Sequence, residues 1–395
     1  MRRLAAERRL ILLSAGTEQR RQASRGTALA LSREVDWSRL TRTLHGRRLL
    51  ATLGPRVQEL VGPDAEDEFD AAVRDALSAG RRQAVLLQAV GARVTDALAD
   101  AGIRCALLKG PQLGEAIFGD PGRRLSGDVD LLVAPEQLCL AVECVRQLGY
   151  RAPEDRLQAD GLPVLHFALA HAEEALPPVE LHWRVHWYER RFAQERLLPS
   201  LLEDSIVGWR PAPADELAAL LLFYARDGFI DLRLASDLSA WWDAHGGQLP
   251  QGALAEHLES FPALARALST AALVASAVVG LPARELFGES PSIDVRARVA
   301  ARLANPNPRM STRQLYADRG LIDGLLMPSG EFPRFVRRQV FPAPEVLATR
   351  AQSSTHRLRA ALGDRGRLLL RCGILGRYGL TMTRLVRASE TARLT

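Results

Sequence analysis

The sequence predicts an α+β fold: a small mixed β-sheet with helices packed on it, flanked by N-terminal and C-terminal helical regions. Two features of the chain carry this. Between Arg104 and Val133, short apolar runs rich in β-formers alternate with a turn–helix–turn segment. On either side, apolar residues recur at helical spacing over long stretches.

In chain order, residues 1 to about 30 are arginine-rich and read as a partly disordered or peripheral segment. From Asp36 to Ala101 the pattern is helical, with one stripe at Val57, Leu60 and Val61. A second follows at Phe69, Val73 and Leu77, and a third at Ala84, Leu87, Val90 and Val94. The last helix, 80–101, is expected to end at Gly102 and feed a strand at Cys105–Leu108. Lys109-Gly110-Pro111 stops that strand, Gln112–Phe118 makes two helical turns, and Gly119-Asp120-Pro121-Gly122 turns the chain again. Val129 and Leu131–Val133 then form a buried strand, and Pro135 opens a helix over 135–148. Leu162–Leu169 and Val179–Trp187 read as antiparallel strands. The order strand-helix-strand-helix-strand-strand suits a small mixed sheet. Helices are expected again at 215–227, 232–245, 252–286, 292–304 and 308–327. Pro328–Pro344 reads as a connector, and the arginine-rich segment after Arg350 as a tail that docks on its own domain. An acidic partner or an anionic membrane is the alternative for that tail. The chain therefore divides into an N-terminal helical region (1–101), a core (102–210), a helical domain (211–327), and a connector with a basic tail (328–395).

Composition narrows the function classes. A hydrophobic content of 47% with 25% charged residues is ordinary for a soluble globular protein. The net charge of +6 suits nucleotide polyanions, but aromatics are only 6% and no basic run alternates with them, so nucleic acid is not favoured. Cysteines 105, 139, 144 and 372 show no CxxC spacing, which argues against zinc fingers and a disulfide framework. The longest apolar run, Ala267–Ala283, is shorter than the roughly 20 residues of a bilayer span, so a buried helix is expected there. The N-terminal apolar stretch is too short and interrupted for a signal peptide, and a reduced, cytoplasmic protein is the expectation.

The chemistry gathers around 104–133. Asp128 and Asp130 alternate with apolar residues, so both carboxylates leave the strand on one face. Two carboxylates that close repel each other unless a divalent cation lies between them, and a metal is the simplest reading. On that reading, Asp128→Asn or Asp130→Asn leaves the fold intact or slightly stabilised. Lys109 is the only lysine among 52 basic residues, and an ammonium ion is not interchangeable with a guanidinium at a tight anion site. Gly110, lacking a Cβ, lets the backbone approach a phosphate closely.

Taken together, Leu108-Lys109-Gly110, then Pro121-Gly122-Arg123-Arg124, then Gly127-Asp128-Val129-Asp130, and later Val179-Glu180-Leu181-His182-Trp183 resemble the uncharacterised nucleotidyltransferase family of the polymerase-β superfamily. The likeness runs from about Thr95 to Val185 and continues more weakly over 220–242. The usual Gly-Gly/Ser turn of the superfamily is Lys109-Gly110 here. The resemblance implies transfer of a nucleoside monophosphate from an NTP, ATP first, to a hydroxyl of a small molecule or peptide, with release of pyrophosphate. It implies Mg²⁺, two ions with Mn²⁺ as substitute, held by Asp128 and Asp130. A third carboxylate is required on a neighbouring strand to bind the metal that activates the acceptor hydroxyl, and Glu180 is the candidate because it shares a strand face with His182. Asp120 and Glu115 are its rivals. Lys109, Gly110 and Arg124 are candidates for the nucleotide, Arg124 because it stands four residues before Asp128. His182 is the acceptor-side candidate; His166, His171 and His186 have weaker claims. Two other readings stand beside this one. A D-x-D sugar-nucleotide glycosyltransferase also holds metal against a diphosphate, and a non-catalytic member would use the fold to bind a partner.

Overall fold

The computed structural model describes residues 2–151, 165–173, 175–189, 191–199, 209–288 and 322–328, with 330, 331, 333 and 334. The expected helices at 292–304 and 308–321, residues 162–164 of the third strand, nearly all of the connector and the basic tail lie outside the described residues.

The chain begins with five helices: α1 (Arg2–Ser14), α2 (Glu18–Ala23), α3 (Arg25–Ser32), α4 (Trp37–Gly46) and α5 (Leu50–Val61). The peripheral role expected for residues 1–30 is not what forms. Leu10, Ile11, Ala15 and Ala28 are buried in the same apolar core as Leu40, Leu53 and Trp241, while Arg9 and Arg25 stay exposed. Arginine content alone misled; the apolar positions between the arginines fall on one helical face. Asp36 caps α4, its carboxylate accepting from the Arg39 amide at 3.0 Å.

The expected break near residue 80 is absent: α6 is one helix, Asp67–Asp100, of 34 residues. Its first half packs Phe69 and Val73 on the helical core, and its second half packs Leu87, Val94 and Leu98 on the sheet. Gly80 has a packing task. A Cβ there would stand 2.1 Å from the Gly122 carbonyl oxygen, and one on Gly122 would stand 2.6 Å from the Arg81 amide nitrogen. Two facing glycines thus let the 121–124 turn lie directly on the helix.

Among the described residues the sheet has four strands: β1 (Cys105–Leu107), β2 (Val129–Val133), β3 (His166–Leu169) and β4 (Val179–His182). Their order is β1-β2-β4-β3, with β2 and β4 parallel and the outer pairs antiparallel. Between β1 and β2 lies α7 (Pro111–Phe118), and α8 (Leu138–Gln147) follows β2. Val129, Leu131, Val133 and Leu181 point to the face covered by α6 and α8. Leu132 and Ala106, on the other face, join the helical core.

β4 stops at His182, five residues before the expected end. Its last registered partners are Leu132 of β2 and His166 of β3. Val185, His186 and Trp187 are buried in a turn instead, followed by α9 (Phe192–Arg196). The helices α10 (Pro213–Arg226) and α11 (Leu232–His245) come next. The single helix expected over 252–286 is three: α12 (Ala255–Ser260), α13 (Ala265–Val279) and α14 (Ala283–Phe287). Pro262 and Gly280-Leu281-Pro282 interrupt it. Leu268, Ala271 and Ala275 of α13 are buried, and among the described residues no helix is long and apolar enough to cross a membrane. One core joins the N-terminal helices to α10, α11 and α13.

Candidate functional site

Three short segments build the site: the turn after β1, the start of β2, and β4 with its neighbour β3. Gly110 adopts φ +94 and ψ −153, a conformation that favours glycine, and Pro111 follows as the first residue of α7. A Cβ on Gly110 would meet nothing within 4 Å, so space lies open in front of this turn. Lys109 Nζ lies 3.2 Å from Asp130 Oδ1 and 4.6 Å from the centre of the Phe223 ring on α10.

Asp130 is fully buried, and its register partner on β4 is Glu180, so the two carboxylates leave the same sheet face. Nε2 of His182 is 2.9 Å from Asp130 Oδ1 and 3.3 Å from Glu180 Oε2. Burial pushes the Asp130 carboxyl up, but Lys109 and then His182 outweigh it and hold it well below the ordinary range. Glu180, which is 22% exposed, is also lowered. There burial is opposed by the contact to His182 and the charge of His166. His166 faces His182 across the β3–β4 ladder, its Nε2 3.6 Å from Glu180 Oε2. Burial, with His182 beside it, lowers His166 to about 4.

Asp128 sits just before β2, half-buried, and accepts a hydrogen bond from the Ser126 hydroxyl at 3.1 Å. Burial pulls Arg233 of α11 down, but Asp231, then Asp237 and Asp128, raise it above its ordinary value. Lys109, Gly110, Asp128 and Asp130 line one cleft, with Thr95 of α6 and Trp209 completing its walls. The hard oxygen donors of Asp128 and Asp130 are the kind Mg²⁺ takes.

The remaining candidates fall elsewhere. Arg124 does not line the cleft; it is buried, with Nε 3.0 Å from Asp237 Oδ2 on α11. Asp120 is engaged by Arg81 at 2.7 Å and accepts from the Gly122 amide, while Glu115 is exposed. His171 packs edge-on against Tyr150, and His186 is buried and pushed down to about 3 by burial. Asp128, Asp130 and Glu180 do not close into one tight trio. Among the described residues, the group with ligand atoms all within 4.8 Å of one another is His166, Glu180 and His182. The sequence does not mark Phe223 and Asp237 as site residues, and it ranks His166 below His182.

A family model described as uncharacterised nucleotidyltransferase matches residues 33–280, a span that takes in every residue of the site. No curated protein and no solved structure matches the chain significantly.

Proposed function

Because the chain belongs to the uncharacterised nucleotidyltransferase family of the polymerase-β-like superfamily, we propose that it is a metal-dependent nucleotidyltransferase. In this reading it moves a nucleoside monophosphate from an NTP, ATP as first choice, onto a hydroxyl of a small molecule or peptide, and releases pyrophosphate. The observation that supports it most is the single cleft lined by two carboxylates, the lone lysine and the glycine turn.

Bound Mg²⁺ supplies neutralisation of the transferring and leaving oxygens and a lowered pKa at the attacking hydroxyl. Asp128 and Asp130 are the residues to hold it, and Glu180 is the carboxylate on the acceptor side. Lys109 serves as a point charge toward a phosphate oxygen, already oriented by Asp130 and the Phe223 ring. Gly110 offers open backbone at the start of α7, with room for a phosphate to approach. His182 orients Asp130 and Glu180 from the floor of the site. Arg124, paired with Asp237, fixes the loop that leads into Asp128.

The test is incubation with Mg²⁺, each labelled NTP in turn and a metabolite extract. Pyrophosphate together with a labelled acceptor supports the reading. Absence of both with every NTP, in Mg²⁺ and in Mn²⁺, overturns it.

A further inference from the structure

We propose that His166, Glu180 and His182 form a binding site for a divalent transition-metal ion, which takes Zn²⁺ or Co²⁺ in preference to Mg²⁺. This goes beyond the reading above, because the binding requires no nucleotide and stands or falls without nucleotidyl transfer.

The β-ladder assembles the site. His166 and His182 are direct partners across the antiparallel β3–β4 pair, so their rings share a face, with centroids 4.6 Å apart. Glu180 stands two residues before His182 on the same strand and therefore on the same face. Its Oε2 lies 3.3 Å from Nε2 of His182 and 3.6 Å from Nε2 of His166. These are long for hydrogen bonds, which centre at about 2.9 Å. They are close to the edge of a tetrahedron around zinc: metal–ligand bonds of ~2.0–2.1 Å separate neighbouring ligands by about 3.3–3.4 Å.

The donor chemistry selects the ion. Two imidazole nitrogens and one carboxylate suit Zn²⁺, Co²⁺ and their neighbours, whereas Mg²⁺ takes oxygen ligands and dehydrates reluctantly. His166 and Glu180 are 30% and 22% exposed, which leaves an open side for water or a substrate oxygen, while His182 is fully buried beneath them. Loading requires the Nε2 lone pair of His182, so the imidazole then carries its proton at Nδ1, which is buried and has no hydrogen-bond partner among the described residues. His182 then releases Asp130, which keeps Lys109. Metal at this site therefore changes the carboxylate in the neighbouring cleft.

The experiment uses untagged full-length protein stripped with a chelator and titrated with Co²⁺, followed by d–d absorption and by calorimetry. His166→Gln and His166→Ala are compared with wild type, since His166 is partly exposed and its loss spares the buried His182; thermal melting checks that each variant folds. Asp128→Asn is carried in parallel. The expected result is one Co²⁺ per chain with tetrahedral-type absorption, displaced by Zn²⁺ and not by millimolar Mg²⁺. Affinity should fall at least about 10-fold in both His166 variants and be kept in Asp128→Asn. No Co²⁺ binding, binding that is equal in wild type and folded His166 variants, or displacement by Mg²⁺ overturns the proposal. Loss of Co²⁺ binding in Asp128→Asn overturns it too, by moving the ion to the carboxylate cleft. Failure of pyrophosphate release leaves these readouts untouched.

Discussion

Asp130 and Glu180 are register partners on the parallel β2–β4 pair, and a single nitrogen, Nε2 of His182, reaches both, at 2.9 Å and 3.3 Å. With Lys109 at 3.2 Å, Asp130 is a buried carboxylate already compensated by groups of the protein. Asp128, two residues earlier, faces the cleft with only the Ser126 hydroxyl donating to it among the described hydrogen bonds. Two aspartates that look equivalent in the sequence are therefore unlike in energy.

The two asparagine variants should differ accordingly. Neutralising Asp130 strands Lys109 and His182. Breaking a buried pair costs roughly 3–5 kcal/mol, and the partial exposure of Lys109 puts the loss at the lower end. Asp128→Asn should change stability by less than about 0.5 kcal/mol. Urea unfolding of both variants checks this; equal stabilities contradict it. The even-handed tolerance expected from simple carboxylate repulsion is thus revised for Asp130.

Lys109 is held by a carboxylate on one side and an aromatic face on the other. A guanidinium is longer and flat, so Lys109→Arg should be poorly tolerated although it keeps the charge. Lys109→Ala should cost on the order of 2–4 kcal/mol in kcat/KM for NTP if the contact tightens in the transition state. Steady-state kinetics of the two variants side by side decide it. An arginine variant as active as the parent removes Lys109 from the site.

Arg124 and Asp237 form a buried pair in which one nitrogen and one oxygen, Arg124 Nη1 and Asp237 Oδ1, have no hydrogen-bond partner among the described residues. Arg124→Met alone should destabilise the fold by about 3 kcal/mol, because Asp237 loses its hydrogen-bonded partner and keeps only the charge interaction with Arg233. Arg124→Met with Asp237→Leu should recover most of that loss. Chemical denaturation of the single and double variants is the measurement, and additive losses would show that the pair is not the unit.

Glu189 supplies a pH signature. Burial raises its carboxyl to about 7, against the backbone amides of Ala193 and Val185 that favour its charged form. The folded value lies above the unfolded one of about 4.3, so its contribution is fully present below that pH and is lost as pH rises through 7. Relative to Glu189→Gln, wild type should lose roughly 3 kcal/mol of stability between pH 4.5 and 7.5. A difference that stays flat with pH contradicts this.

Local pattern carried much of the architecture. The strand, turn, helix and strand from Cys105 to Val133 follow from apolar runs and Gly-Pro punctuation, and α11 falls at 232–245 as its stripe of Leu234, Leu238 and Trp241 requires. The shared face of Glu180 and His182 follows from period-two alternation. What depends on distant partners was not legible. β4 reads as a strand through Trp187 because apolar alternation continues, yet its pairing with β2 and β3 stops at His182. Gly80 looks like a helix terminus until Gly122 is seen lying against it. Arg124 meets a carboxylate 113 positions away, and His166 gains its place from a pairing register that its own neighbours in sequence do not encode.

The most direct measurement is NTP-dependent pyrophosphate release in Mg²⁺ by wild type and Asp128→Asn, with melting temperatures recorded on the same samples. The account predicts release by wild type and a loss on the order of 10²–10³-fold in the variant, with unchanged melting, because Asp128 would hold the ion that neutralises the transferring group and carries little of the fold's stability. Asp128→Asn turning over at near the wild-type rate would contradict it.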